Sequence, residues 1–210
     1  VALGPTHEEI VVPLMREYIS SYKDLPTNAY QFQNKFRMEL RAKSGILRGR
    51  EFIMKDFYSF HADQADLDAY YDVMTQAYRN VFDRVGLGES TYLTFASGGS
   101  FSKYSHEFQT LTEAGEDVIH LCEKCKVAVN GEILADHPTC PTCNGALTEK
   151  KAVEVGNIFK LGTKYSDPFA LTYKNEVGEN IPVIMGCYGI GPRGVLGTVV
   201  ETHASDMGLA

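Results

Sequence analysis

The spacing of apolar residues changes several times along the chain, and each change marks an element. Ile10, Leu14, Tyr18 and Ile19 recur at helical intervals behind Thr6 and Glu9, a capping-box pair, so a helix is expected over 6–24. Asp24-Leu25-Pro26-Thr27-Asn28 breaks it. Tyr30, Phe32, Phe36, Met38 and Leu40 alternate in part with polar residues, which predicts a strand over 29–40. Residues 42–48, with Gly45, form a loop, and the aromatic run 51–60 is the returning strand. Residues 63–86 place Leu67, Tyr70, Tyr71, Met74, Ala77, Tyr78, Val81 and Phe82 on one face of a helix that ends at Gly86-Leu87-Gly88, a pattern that core packing alone explains. A short strand over 91–101 with a Gly98-Gly99 turn, strands near 152–160, 168–173 and 181–188, and a last helix opened by Gly189-Ile190-Gly191-Pro192 complete the pattern. Strands grouped without regular helical crossovers predict an α+β fold, a mostly antiparallel sheet flanked by helices.

Composition narrows the class. The chain has 210 residues, 44% apolar and 22% charged, enough to bury a core without staples. No run of 18 apolar residues occurs, so no membrane span or membrane partner is expected. The opening Val1-Ala2-Leu3-Gly4-Pro5 has neither the basic region nor the apolar core of a signal peptide. The absence of an initiator Met and the ending Met207-Gly208-Leu209-Ala210 lead us to expect a fragment of a longer, cytoplasmic protein. The net charge of −7 disfavours a surface that grips nucleic acid everywhere. Within 35–55, however, Lys35, Arg37, Arg41, Lys43, Arg48, Arg50 and Lys55 face only Glu39 and Glu51. That excess fits an anionic ligand such as a polyphosphate or carboxylate, or a solvated hairpin.

The cysteines are the next signal. Cys122-Glu-Lys-Cys125 and Cys140-Pro-Thr-Cys143 are two knuckles with 14 residues between them, close to the four-thiolate zinc pattern. Two disulfides or free thiols are the other readings, and nothing marks an oxidising compartment. Four thiolates would leave zinc no open position, so the expected role is structural. Asn130-Gly131 is expected to form a two-residue hairpin turn between the knuckles. His120 and His137 are spare ligands at most, and Cys187 is expected to be a small buried residue.

No dinucleotide fingerprint or P-loop is present, so a nucleotide would be held another way. Phe36-Arg37-Met38-Glu39, a basic loop and Arg48-Gly-Arg50-Glu-Phe52-Ile-Met-Lys-Asp56 offer one. Arg37 and Glu39 share a strand face, where Arg37 can grip a phosphate bidentately and Glu39 can accept from an exocyclic amine. Arg48 and Phe52 also share a face and could sandwich a base. A salt-bridged hairpin is the alternative.

These residues resemble motif 2 of class II aminoacyl-tRNA synthetases. The string from Arg48 to His61, together with Pro5-Thr6-His7-Glu8-Glu9, Ser105-His106-Glu107-Phe108, the run from Glu154 to Ser166, and Met185-Gly186-Cys187-Tyr188-Gly189-Ile190-Gly191, resembles the bacterial-type prolyl-tRNA synthetase family in order. The resemblance implies a class II catalytic domain in two parts, 1–120 and 151–210, with 121–150 as a short zinc-binding insertion in place of an editing domain. It implies activation of proline by ATP and transfer to tRNA(Pro), with Mg2+ as cofactor and a homodimer in the full-length protein. In that family Arg37 would contact the α-phosphate and the proline carboxylate, Glu39 would read adenine, Phe52 would stack on it, and Arg48 would hold the phosphate tail. Thr6 and Glu8 would receive the proline imino group. Met54, Tyr58, Phe159 and His106 would wall the proline pocket, and Glu154 would stand at a magnesium or ATP contact.

Three departures accompany the resemblance. Arg193-Gly194 inverts the family's motif 3 order, and one residue on a helix start rotates a side chain by roughly 100°. Asn157 stands where the family usually has His, so its ATP contact changes. The insertion slot holds about 30 residues, too few for an editing domain of the usual size, so no editing in cis is expected. A synthetase-like paralogue that binds tRNA without activating an amino acid is the rival function, and a synthetase for threonine, serine or glycine the sister reading.

Overall fold

The computed structural model describes residues 3–40, 42 and 45–209. Arg41 and Lys43 of the basic segment therefore lie outside the described residues, as do the first two residues and the last. The elements in chain order are α1 (Glu8–Met15), β1 (Thr27–Phe36), β2 (Glu51–His61), α2 (Gln64–Arg84), β3 (Thr91–Ser97), β4 (Tyr104–Leu111), β5 (Asp117–Cys122), β6 (Val127–Asn130), β7 (Thr148–Gly162), β8 (Thr172–Lys174), β9 (Asn180–Pro182), β10 (Ile184–Ile190) and α3 (Pro192–His203). Eight strands form one sheet in the order β1-β2-β10-β7-β4-β3-β6-β5, antiparallel except where β3 meets β6. Among the described residues no helix is long and apolar enough to cross a membrane.

The central strands are buried on both faces, which is why they read as continuous apolar runs rather than alternations. Along β10, Met185 and Cys187 pack with Val12 and Met15 of α1, Tyr58, Phe60 and Leu161 on one face. Tyr188 packs on the other with Tyr71, Tyr78 and Phe82 of α2 and Val195 and Val199 of α3. Asp63 caps α2 by accepting from the Asp66 N–H at 2.9 Å.

Several expectations are corrected here. The first helix runs only from Glu8 to Met15, with no side-chain cap. Of its predicted stripe only Ile19 is buried, while Ile10, Leu14 and Tyr18 are exposed and Val12 and Met15 face the core in their place. The first strand ends at Phe36, so Arg37 and Glu39 lie on the loop beyond it, although the Arg37 N–H still donates to the Arg50 carbonyl at 2.9 Å. Strand β4 has no counterpart in the sequence reading, because Glu107 and Gln109 are polar residues on a face that lines a cleft. Residues 163–170 are turns, and only Thr172–Lys174 form a strand there. Segment 121–150 contributes the end of β5, β6 and the start of β7 to the same sheet. Asn130-Gly131 makes no hairpin turn; the Asn130 side chain accepts from the Glu132 N–H at 3.1 Å and caps a short 3-10 turn.

Candidate active site

A cleft of about 360 Å³ opens on the sheet face that carries α1. Its walls hold Arg37, Glu39, Arg48, Phe52 and Met54 from the β1–β2 hairpin, Glu107 from β4, Glu154 and Asn157 from β7, and Arg193 from α3. The sequence-predicted nucleotide residues thus come together although they span 156 positions, from Arg37 to Arg193.

The Arg37 guanidinium lies 5.2 Å from the centre of the Phe52 ring, and its Nε donates to the Pro5 carbonyl at 3.1 Å. That second bond ties the hairpin cation to the segment that carries Thr6 and leads into Glu8 at the start of α1. Arg48 does not lie on Phe52 in this structure; its Nε pairs with Glu39 Oε2 at 2.9 Å and its Nη1 with Glu116 at 3.6 Å. Arg193 Nη1 donates to the Glu51 carbonyl at 2.8 Å, so the inverted Arg193-Gly194 order still delivers an arginine to the cleft rim.

The other described cations of the basic segment, Lys35, Lys55 and Arg50, are engaged elsewhere. Lys35 is fully buried and bonds Asp56 and the His7 ring, while Gln31 Nε2 donates to the same Asp56 oxygen at 3.1 Å. Lys55 points to the opposite face, where it donates to Tyr78 Oη at 2.8 Å and the Tyr188 carbonyl at 3.0 Å. Burial there lowers its pKa to about 8. Arg50 Nε donates to the Glu39 carbonyl at 3.0 Å.

Opposite the arginines stands an acidic wall in which the expected Glu154 is joined by four carboxylates that the sequence reading did not single out, Glu107, Glu116, Asp117 and Glu132. Glu107 accepts from Gln109 at 2.9 Å and Asn130 at 3.1 Å. Glu154 is exposed, and its open side is the cleft lumen. Loss of water around it, then the neighbouring Glu107 charge, raises its pKa. For Glu107, Glu116 and Asp117 the signal in the sequence is the clustering of Glu and Asp over 107–117, and no period distinguishes these from surface charges.

The imino-acid residues form a second group along the same face. The Thr6 hydroxyl donates to Glu8, whose carboxylate is 2% exposed and accepts from the Cys187 thiol at 3.5 Å. Tyr58 is buried with a hydroxyl that finds no partner among the described residues, an orphan of the sort that a polar ligand satisfies. Phe159 packs 5.0 Å from Phe101 beside this core, and Met54 lies on the same face of β2. His106 does not join them. It pairs across the sheet with Ile158 and sits on the α2 face, where its Nδ1 lies 2.8 Å from Tyr71 Oη. Cys187 is 7% exposed, and burial raises its pKa well above the ordinary thiol range, as a packing residue requires.

The four knuckle thiols form a third cluster, their sulfurs all within 4.8 Å of one another. Cys122 and Cys143 Sγ are 3.7 Å apart, against about 3.8 Å for two thiolates on a tetrahedral zinc and about 2.05 Å for a disulfide. The two knuckles are built alike: Lys126 and Asn144 both have φ of 54°, and their N–H groups donate to the Cys122 and Cys140 carbonyls at 2.9 and 2.8 Å. Gly145 lets the chain pass close, since a Cβ there would stand 3.1 Å from Cys143 Sγ. Neither His120 nor His137 belongs to the cluster.

Comparison with known proteins places the chain in a class. Residues 1–203 match the tRNA synthetase class II core domain (G, H, P, S and T), and the chain belongs to that family. Its relatives include the probable mitochondrial proline–tRNA ligase of Rattus norvegicus, 41% identical over 97% of this chain and 43% of that protein. The proline–tRNA ligase of Sulfurimonas denitrificans is 36% identical over 98% of this chain and 52% of that protein. The chain thus spans about half the length of the curated relatives it matches. Giardia lamblia prolyl-tRNA synthetase, solved in complex with prolyl-adenylate, shares the fold with a TM-score of 0.76 at 19% identity, over the whole of this chain and 35% of that one.

Proposed function

We propose that the chain is the catalytic core of a proline–tRNA ligase, which condenses proline with ATP to prolyl-adenylate and then transfers proline to tRNA(Pro). The observation that carries this reading is Arg37, which lies on the Phe52 ring and is bonded to the Pro5 carbonyl, one residue before Thr6 and three before Glu8. One side chain thereby links a surface suited to adenine with a buried carboxylate suited to the cationic imino group.

The chemistry follows from charge. A carboxylate attacks the α-phosphorus of a polyanion, and pyrophosphate leaves on the opposite side. The reactants repel, and negative charge builds on the equatorial oxygens, so guanidinium groups fixed around that position stabilise the transition state. Arg37, Arg48 and Arg193 surround the cleft, and two of them are held by carbonyls rather than by carboxylates alone. The carboxylate is already ionised and needs no general base, so alignment supplies most of the remaining acceleration. Glu107 and Glu154 are hard oxygen donors on one wall and fit Mg2+, which would neutralise phosphate charge when bound.

The four thiols are read as a structural zinc site, closed because four ligands fill the tetrahedron. With only this segment between the two halves of the site, the chain carries no editing activity in cis. Exposed Tyr30 and Phe32 on the edge strand β1 support a homodimer of the full-length protein.

The test is proline-dependent ATP–pyrophosphate exchange by the full-length protein. Exchange with proline, and not with threonine, serine or glycine, supports the reading. Folded protein that binds tRNA yet exchanges with no amino acid favours the inactive paralogue.

A further inference from the structure

We propose that the metal knuckle is a working part of the nucleotide cleft: zinc on Cys122, Cys125, Cys140 and Cys143 pins the strands that carry the cleft's acidic wall, and so sets affinity for ATP. This rests on the zinc reading above and extends it from stability to substrate binding.

Three strands meet the knuckles end-on. Strand β5 ends at Cys122, β6 begins two residues after Cys125, and β7 begins shortly after Cys143. The backbone pairs next to the sulfurs are Cys122 with Val127 and Leu121 with Thr148. At the other end of the same short ladders stand Asn130 and Asp117, both lining the cleft. Asn130 Nδ2 donates to Glu107 Oε2 at 3.1 Å, and Asp117 accepts from Gln109 at 3.2 Å. Just ahead of β5, Glu116 reaches Arg48 at 3.6 Å. A four-residue strand spans about 13 Å, so the metal and the cleft wall are separated by one rigid element.

The apolar support for these strands is thin. Among the described residues, Ile119, Leu121, Ala128 and Ala152 form their buried cluster, with Tyr92 and Leu111 packed against it, and Val129 of β6 is buried outside it. A core this small needs a staple to stay ordered. Without the metal, the ladders open from the Cys122–Val127 end. Asn130 then leaves Glu107, Glu116 leaves Arg48, and the nucleotide loses one wall of its cleft. Tyr58 belongs to a different core, packed around α1, and Glu8 and Thr6 are tied to that core through Cys187, so the imino-acid residues are untouched.

The experiment uses the full-length protein as wild type, as the double variant C125S/C143S and as Asn130→Ala. Zinc per chain is measured by mass spectrometry, AMPPNP affinity by titration calorimetry, and KM for ATP and for proline by exchange. The wild type is expected to hold one zinc per chain. The double variant is expected to lose it and to bind AMPPNP about tenfold more weakly, the scale of losing a hydrogen bond to a charged group, with proline KM unchanged. Asn130→Ala is expected to keep its zinc and to weaken AMPPNP in the same direction. A metal-free, folded variant with wild-type AMPPNP affinity overturns the proposal, as does a wild type without zinc or an equal loss for ATP and proline. Should the double variant fail to fold, unchanged nucleotide affinity in Asn130→Ala overturns it alone. A wild type that binds AMPPNP but exchanges with no amino acid defeats the ligase reading, while the AMPPNP titrations still decide this one.

Discussion

Asn157 Nδ2 donates to Glu154 Oε1 at 2.8 Å, although residues three apart on a strand ordinarily point to opposite faces. The pairing of β4 with β7 explains it. Phe108 faces Gly156 and Gln109 faces Glu154, so Val155 is an extra residue, a β-bulge. The bulge returns Glu154 to the cleft face that Asn157 already occupies. Gly156 completes it, since a Cβ there would stand 3.0 Å from Tyr78 and 3.2 Å from Phe82.

Glu154 ties cleft electrostatics to stability. Its raised pKa, caused by lost hydration and then by Glu107, means that the fold holds the proton to higher pH than the unfolded chain does. Stability therefore falls as pH rises from the ordinary carboxylate range toward the raised value. Glu154→Gln removes that loss. In thermal melts the variant should match the wild type near about pH 4 and exceed it increasingly toward neutrality, by a modest amount because the carboxylate opens to the cleft. A constant difference at every pH contradicts the assignment.

Lys35 and Asp56 form a buried ion pair that fastens the His7 loop to the hairpin. Lys35→Met leaves a buried carboxylate unpaired and should cost about 3–5 kcal/mol in urea unfolding. The double variant K35M/D56N should recover much of that loss. Equal destabilisation by the single and double variants would show that the pair does not act as a unit.

His106 separates the two faces of the sheet. Burial and then the Lys160 charge lower its pKa to about 4, so the folded chain excludes a proton that the unfolded chain binds. The resulting stability is present above the ordinary histidine range and disappears as pH falls through about 6.5 toward about 4. His106→Asn should flatten this acid limb while leaving the proline KM of the full-length protein within twofold. A raised proline KM would return His106 to the imino-acid pocket.

Arg37 grips by geometry as much as by charge. Lysine cannot reproduce a planar fork over Phe52 together with a bond to the Pro5 carbonyl. Arg37→Lys should lower kcat/KM for exchange by about 100-fold, with folding unaffected in circular dichroism. Activity within threefold of wild type means that another cation performs this role.

The legible parts of the fold were those with one wet and one dry face, or with motif residues close in sequence. Helix α2 showed itself through Leu67, Tyr71, Tyr78 and Phe82, and the knuckles through their spacing. The hairpin cations Arg37 and Arg48 were singled out on local charge and do line the cleft. Strand β4 stayed hidden because its cleft face is polar, and α1 misled because Ile10, Leu14 and Tyr18 are apolar yet exposed. Lys35 and Lys55 counted as ligand cations because sequence proximity cannot show which face of a strand a side chain takes, or that a carboxylate or hydroxyl waits there. The bulge at Val155 is likewise invisible without the partner strand.

The most direct measurement is a crystal structure of the full-length protein with a non-hydrolysable prolyl-adenylate analogue. The adenine should stack on Phe52, the sulfamoyl or phosphoryl group should meet Arg37, and the pyrrolidine nitrogen should lie at Glu8 beside the Tyr58 hydroxyl. An analogue bound away from the β1–β2 hairpin, or one that leaves Arg37 without contact, contradicts the account.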